Sequence, residues 1–185
     1  MSLDNGIKIR ESTFEDASGV ARVHIKSWQE TYRGFMPDDY LKNLEANEGE
    51  RRRAFWQNKL SNPEIRKTNW VAEKDEQILG FVSVGKSRDE NPLTDGEIYA
   101  IYLLKAYQGQ GIGRTLFEKG ILLLKDLGMN SASLWVAKGN ATEGFYKHLG
   151  GRLHGEKVDK CGGADALAEC RYVWSELSIK GGSGA

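Results

Sequence analysis

The segment Tyr107-Gln108-Gly109-Gln110-Gly111-Ile112-Gly113-Arg114 stands between an apolar run and a run of helical period. Its glycines let the backbone turn sharply and bring consecutive N–H groups close to a ligand. The first N–H groups of a helix have no intrahelical partner, and the helix dipole favours an anion there. Together these features make a cradle for phosphate or pyrophosphate. A tight strand-to-helix turn without a ligand is the plain alternative. Two familiar cradles fit poorly. A Walker A loop needs GxxxxGK followed by Ser or Thr, whereas Arg114 stands here directly after Gly113 and the glycine spacing is shorter. A Rossmann fingerprint needs GxGxxG in an opening β-α-β unit, whereas this is GxGxG, in mid-chain, after antiparallel-looking strands.

The elements that must position this turn follow from periodicity. Ile7-Lys8-Ile9-Arg10 alternates like a short strand. Thr13 is a candidate N-cap, with Asp16 closing the first turn. Val20, Val23, His24, Ile25, Trp28 and Tyr32 keep a helical period, which predicts a helix to about Tyr32, ended by Gly34 and Pro37. A second short helix is expected around Asp38 to Leu44. A third is expected from Arg51 to Leu60, with Phe55, Trp56 and Leu60 on one side. Trp70 to Glu73 and Ile78 to Val84 read as a hairpin across a polar turn. Glu97 to Leu103 is apolar nearly throughout, as a central strand covered on both faces would be. After the glycine-rich turn, a helix is expected from Ile112 to Leu127, burying Leu116, Phe117, Gly120, Leu123, Leu124 and Leu127. A strand at Ser133 to Ala137, a helix from Asn140 or Ala141 to Leu149, and a strand at Ala168 to Trp174 complete the chain. The order β-α-α-α-β-β-β-α-β-α-β predicts an α/β (α+β) domain with one mixed sheet.

Gln108-x-x-Gly111-x-Gly113 resembles the Q/R-x-x-G-x-G/A signature of the GNAT family of N-acetyltransferases. Glu97 to Leu103 looks like that family's fourth strand. Asn140-Ala141-Thr142-Glu143-Gly144-Phe145-Tyr146-Lys147-His148-Leu149-Gly150 is similar to its N-x-x-(A)-x-x-F-Y-x-x-x-G segment. In element order the likeness spans residues 7–176, while the specific motifs lie within 97–151. Two residues depart from the pattern: Gly144 occupies a helix position, and Gly151 replaces the usual aromatic after Gly150. The resemblance implies one domain over residues 1–185, with a mostly antiparallel sheet flanked by helices. It also implies a V-shaped opening between the fourth and fifth strands, here 97–103 and 133–137. Acetyl-CoA would be the cosubstrate, with no metal, and a primary amine the acceptor. Ile101, Tyr102 and Leu103 would meet the acetyl and pantetheine amides. Gln108, Gly109, Gln110, Gly111, Ile112, Gly113 and Arg114 would hold the pyrophosphate, and Asn140 would bond the pantetheine arm.

An alkylamine is mostly ammonium at neutral pH, and its lone pair is then occupied. A base, or a water chain to one, is therefore useful. The resemblance points to Glu97, at the start of the fourth strand, with a solvated or salt-bridged glutamate as the alternative. Tyr146 matches the family tyrosine that protonates the departing thiolate, with simple packing beside Phe145 as its alternative. Trp28, Glu30 and Tyr32 are the candidate acceptor-binding residues, because ring faces and a carboxylate both suit a cation. The stretch from Ser27 to Gly34, with Pro37 and Tyr40-Leu41 beyond it, looks like a segment of a bacterial GNAT subgroup.

The remaining sequence mostly excludes. The chain has 185 residues, 26 Lys plus Arg against 26 Asp plus Glu, and a formal net charge of zero. That balance speaks against nucleic acid held by bulk charge. No apolar run is long enough to cross a membrane, so no membrane partner is expected. Cys161 and Cys170 match neither a metal site nor a disulfide framework, which suggests a reducing, cytoplasmic setting. His24, His148 and His154 lack metal-like spacing. The expected partners are a small-molecule or peptide amine, with a homodimer compatible. Met1–Asn5 and Gly181–Ala185 read as flexible tails around a core of 7–176. The competing functions are a catalytically silent acetyl-CoA sensor, which an intact Glu97 and Tyr146 disfavour, and a nucleotide-binding regulator.

Overall fold

A computed structural model of the chain describes residues 6–90, 92–161 and 164–177. The expected tails and the side chain of Cys161 lie outside the described residues. The strands are β1 (Lys8–Glu11), β2 (Asn69–Lys74), β3 (Gln77–Lys86), β4 (Gly96–Leu103), β5 (Ala132–Ala137), β6 (Arg152–Cys161) and β7 (Ala164–Trp174). They form one sheet in the order β1-β2-β3-β4-β5-β7-β6. Neighbours are antiparallel except β4 and β5, which run parallel. A parallel pair needs a crossover connection, and helix α5 (Ile112–Asp126), numbered in chain order, supplies it.

The other helices are α1 (Ala17–Thr31), α2 (Asp38–Lys42), α3 (Leu44–Ser61), α4 (Pro63–Arg66) and α6 (Glu143–His148). On one face of the sheet, Ile112, Leu116, Phe117, Ile121 and Leu124 of α5 join Val82, Val84, Ile98 and Leu134 in the largest apolar cluster. Full burial of side chains of this size stabilises by about 1.5–3 kcal/mol each. On the other face, Val20 and Val23 of α1 and Trp56 and Leu60 of α3 pack on Val71 and Phe81. A third cluster ties Tyr32, Met36 and Leu41 to Ala137 and Leu167, so the α1–α2 region sits on the ends of β5 and β7.

Four expectations need correction. Strand β6 is missing from the periodicity reading, because it is a charged edge strand broken by Gly155 whose Leu153 and Val158 face solvent. Helix α3 begins at Leu44 rather than Arg51, and Phe55 is exposed while Trp56 and Leu60 are buried. The two adjacent rings diverge because neighbours on a helix are about 100° apart. Leu127 is exposed, and Ile112 and Ile121 fill the α5 stripe instead. Helix α6 starts only at Glu143, since Asn140 forms a turn ahead of it: its Oδ1 accepts from the Thr142 N–H at 2.9 Å and from the Thr142 hydroxyl at 2.8 Å. Gly151, where an aromatic was the family pattern, has a reason in packing. A Cβ there would come within 2.6 Å of the Trp174 ring, which fills that space.

Candidate active site

Strands β4 and β5 are register partners at only two positions, Gly96↔Ala132 and Glu97↔Ser133. From Ile98 to Leu103, β4 keeps β3 on one edge, and among the described residues no strand pairs with its other edge. The cause lies partly in β4 itself. Ala100 faces Ser83 and Ile98 faces Val84, leaving Tyr99 as an extra residue. Such a bulge bends its strand, and the two parallel strands part just beyond it.

The opening exposes a defined set of backbone groups. Leu104 donates its N–H to Leu79 O at 2.9 Å, on the β3 side. Backbone groups alternate along a strand, so Ile101 and Leu103 turn theirs towards the opening. Tyr102 turns its backbone to β3, opposite Phe81. Tyr102 therefore parts from the backbone role expected with its neighbours, and its side chain stands on the α1 face instead. Its Oη accepts from Trp28 Nε1 at 2.9 Å, and its ring stacks on His24 at 5.1 Å between centroids.

The glycine-rich turn follows the end of β4. Gly111 caps α5 with a φ of 80°, and Gly109 has a φ of 76°, a left-handed backbone that favours glycine. An added Cβ at either would meet nothing within 4 Å, so both face open space. The first-turn N–H groups of α5 point into that space. Gln108 reaches back, Nε2 to Leu103 O at 3.1 Å, which fixes the turn against the strand. Arg114 Nε donates to Glu118 Oε1 at 2.8 Å, so its guanidinium lies along the first turns of α5.

Tyr146, on α6, is buried among Phe145, Tyr172 and Trp174. Burial pushes its phenol well above the ordinary value. Nearby Tyr102 adds to the shift, and a hydrogen bond with Thr142 opposes it. The hydroxyl therefore stays protonated at neutral pH, and Tyr102 and Tyr146 interact electrostatically.

Glu97 is 4% exposed at the root of the opening. Both its oxygens accept from Arg88: Nε is 3.1 Å from each, the Arg88 backbone N–H is 3.0 Å from Oε2, and Nη2 binds Oε1. The salt-bridged alternative considered for this glutamate is thus the observed local geometry. Glu30 Oε2 accepts the Lys105 N–H at 3.0 Å, holding the turn that leads to Gln108. Trp28 and Tyr32 do meet, at 4.9 Å between rings, beside Tyr102 and Phe35. Asn140 lies 7% exposed, with its carbonyl oxygen committed to Thr142.

Sequence reasoning passed over three cations on the α1 face. Lys59 Nζ donates to Ser83 Oγ at 2.7 Å and lies 5.0 Å from the Trp56 ring centre. Arg88 holds Glu97. Arg171 donates to Ser133 Oγ at 2.9 Å and pairs with Asp89 at 2.7 Å. Arg171 had a signal, a charge set into the apolar strand Cys170-Arg171-Tyr172-Val173-Trp174. Arg88, in a polar loop, had none.

The profile of the acetyltransferase (GNAT) family matches residues 25–150. The chain belongs to the GNAT family of acetyltransferases. An uncharacterised N-acetyltransferase of Bacillus subtilis is 35% identical to it over 172 residues, covering 93% of this chain and 95% of the relative. A spermidine N(1)-acetyltransferase of Thermoplasma acidophilum is 25% identical over 174 residues, covering 90% of this chain and 98% of the relative. Among solved structures, the PaiA N-acetyltransferase of the same archaeon, in complex with coenzyme A, shares the fold with a TM-score of 0.63. Its identity is 22%, over 88% of this chain and 97% of that one. As a GNAT enzyme, this chain is an acetyl-CoA-dependent N-acetyltransferase. An unpaired β4 edge continuous with an open, left-handed glycine turn fits an extended ligand ending in a pyrophosphate. Among the described residues no group of His, Cys, Asp and Glu could hold a metal, and no helix is long and apolar enough to cross a membrane.

Proposed function

We propose that this enzyme acetylates a primary amine by direct attack within a ternary complex, on the α1 side of the opening between β4 and β5. The observation that carries the reading is the parting of these strands after Glu97, with Tyr146 near enough to Tyr102 to interact with it electrostatically. Acetyl-CoA supplies an activated thioester. The backbone of Ile101 and Leu103 pairs with its amides, and the N–H groups from Gln108 to Arg114 receive its pyrophosphate. The Asn140 amide nitrogen donates to the pantetheine arm. The Leu103 N–H faces the negative charge that grows on the carbonyl oxygen. Tyr146 gives its proton to the departing sulfur. Glu97, through water, takes the proton that the attacking amine must lose. The relative named for spermidine makes a polyamine one candidate acceptor. Thiol release from acetyl-CoA across a panel of primary amines tests the whole reading, and acetyl-CoA binding without turnover on any amine would overturn it in favour of a silent sensor.

Two substitutions test its parts. Gly111→Asp sets a side chain and a negative charge at the open left-handed cap, where the pyrophosphate is to sit. The acetyl-CoA dissociation constant should rise at least about tenfold, about 1.4 kcal/mol. Calorimetry on a variant with an unchanged melting temperature measures it, and unchanged affinity removes the cradle. Glu97→Gln should lower kcat/KM mainly at neutral pH, with the loss shrinking at high pH as free amine becomes abundant. A loss of equal size at every pH would assign Glu97 to the Arg88 pair alone.

A further inference from the structure

Around the point where β4 and β5 part, the α1 face of the sheet carries a row of charged groups. Lys59 on α3 lies 5.3 Å from the centre of the Tyr99 ring, and the Arg88 guanidinium lies 4.7 Å from the same ring. Arg88 holds Glu97, Glu97 is the register partner of Ser133, and Ser133 accepts from Arg171. Tyr99, Tyr102, Trp135 and Arg171 are each partly exposed, so this stretch opens to solvent beside the site of acyl transfer.

The charges along the row do not balance. Glu97 is taken by Arg88, Asp89 by Arg171, Glu169 by Lys157 and Glu48 by Arg52. Lys59 takes part in none of the ion pairs among the described residues, and its bonded partner is the neutral hydroxyl of Ser83. Burial, and secondarily the Arg88 charge, push its ammonium down to about 8. This is the behaviour of a cation set in aromatic walls without a counter-ion. Arg171 has a donor without a partner among the described residues, its buried Nε, and its side chain is 11% exposed.

We infer that the acceptor is an amine bearing an oxyanion, a carboxylate or phosphate, which pairs with Lys59 while the amino group lies at the opening between β4 and β5. The inference rests on the acetyl-transfer reading above and names its substrate class. A polyamine would bring a second ammonium to a wall whose carboxylates are already paired and whose unpaired charge has the same sign. An oxyanion there gives Lys59 a counter-ion, which it does not have among the described residues. It also leaves the Glu97–Arg88 pair intact beside the reacting amine. The aromatic walls of Tyr99 and Trp135 suit the carbon chain between the two ends of such a molecule.

The test is steady-state kinetics with primary amines matched in chain length and ending in carboxylate, phosphate, methyl or ammonium. The carboxylate- or phosphate-ended amines should show kcat/KM at least about tenfold above their methyl-ended counterparts, and the better of the two identifies the oxyanion. Added salt should erode that advantage. In Lys59→Gln, and in Lys59→Met as a second form, the ratio of oxyanion-ended to methyl-ended kcat/KM should fall about tenfold. Melting temperature and acetyl-CoA affinity, measured alongside, report folding. A preference for ammonium-ended amines overturns this inference alone, whatever the variants do. So does an oxyanion preference that survives in folded Lys59 variants. Absence of transfer to every amine overturns the acetyl-transfer reading and this inference with it.

Discussion

Tyr146→Phe is expected to lower kcat roughly 10²- to 10⁴-fold while sparing acetyl-CoA binding, the usual effect of removing a positioned acid. The Tyr146 ring packs at 5.3 Å from Phe145, 6.0 Å from Tyr172 and 6.4 Å from Trp174, and phenylalanine keeps all three contacts. Only the hydroxyl is lost. Burial holds that hydroxyl protonated well past neutral pH, so its O–H is present to meet the sulfur as negative charge develops there. A donor with a better leaving thiol should suffer less from the change. If the residue only fills space, the order reverses. Phenylalanine is then nearly silent, and Tyr146→Ala is the damaging change, through a cavity costing about 3–5 kcal/mol. Kinetics on both variants, with unfolding curves beside them, separate the two. A phenylalanine variant with wild-type kcat removes Tyr146 from the chemistry, provided that product release is not rate-limiting.

Acid should unfold this protein through His24 more than through any surface carboxylate. The imidazole is enclosed by Trp28, Trp56, Phe81 and Tyr102. Burial, then the nearby charges of Arg52 and Lys59, hold its pKa down to about 3. An unfolded histidine titrates near 6.5. Between those values the unfolded chain binds a proton that the folded chain refuses, so stability is lost as the pH falls below about 6.5. The expected slope from this one group is about 1.4 kcal/mol per pH unit. Urea unfolding at a series of pH values measures it. His24→Gln, which cannot titrate, should flatten the slope by about that amount, and an unchanged slope would mean that His24 takes up its proton without unfolding the chain.

The turn from Tyr107 to Arg114 was legible because its chemistry is local. Alternate glycines can adopt positive φ wherever they stand, and a helix beginning at Ile112 leaves its first N–H groups unpaired whatever packs around it. The strand Glu97–Leu103, the helix after it and the Phe145-Tyr146 pair were legible for a related reason, since a continuous apolar run or a helical stripe needs little context. The likeness to the GNAT family rested on these same local segments, and the family profile covers them.

Pairings between distant segments were beyond the sequence. Strand β6 carries charges and a glycine, and it is a strand only because β7 offers it an edge. Asn140 reads as the start of a helix, yet its carbonyl oxygen closes a turn on Thr142. Glu30 reads as a ligand for an amine, yet it holds the Lys105 N–H from 75 residues away. Glu97 reads equally as a base or as a solvated or salt-bridged glutamate, and only the folding of the β3–β4 connection brings Arg88 onto it. Periodicity records which side of an element is apolar, whereas an ion pair or a hydrogen bond depends on which elements become neighbours. The sequence by itself therefore determined the glycine-rich turn, the apolar strand before it and the helix after it. The tertiary structure alone decided which charges cancel and that Lys59 has no ion-pair partner among the described residues, because that balance exists only once α3, β3 and β4 share one face.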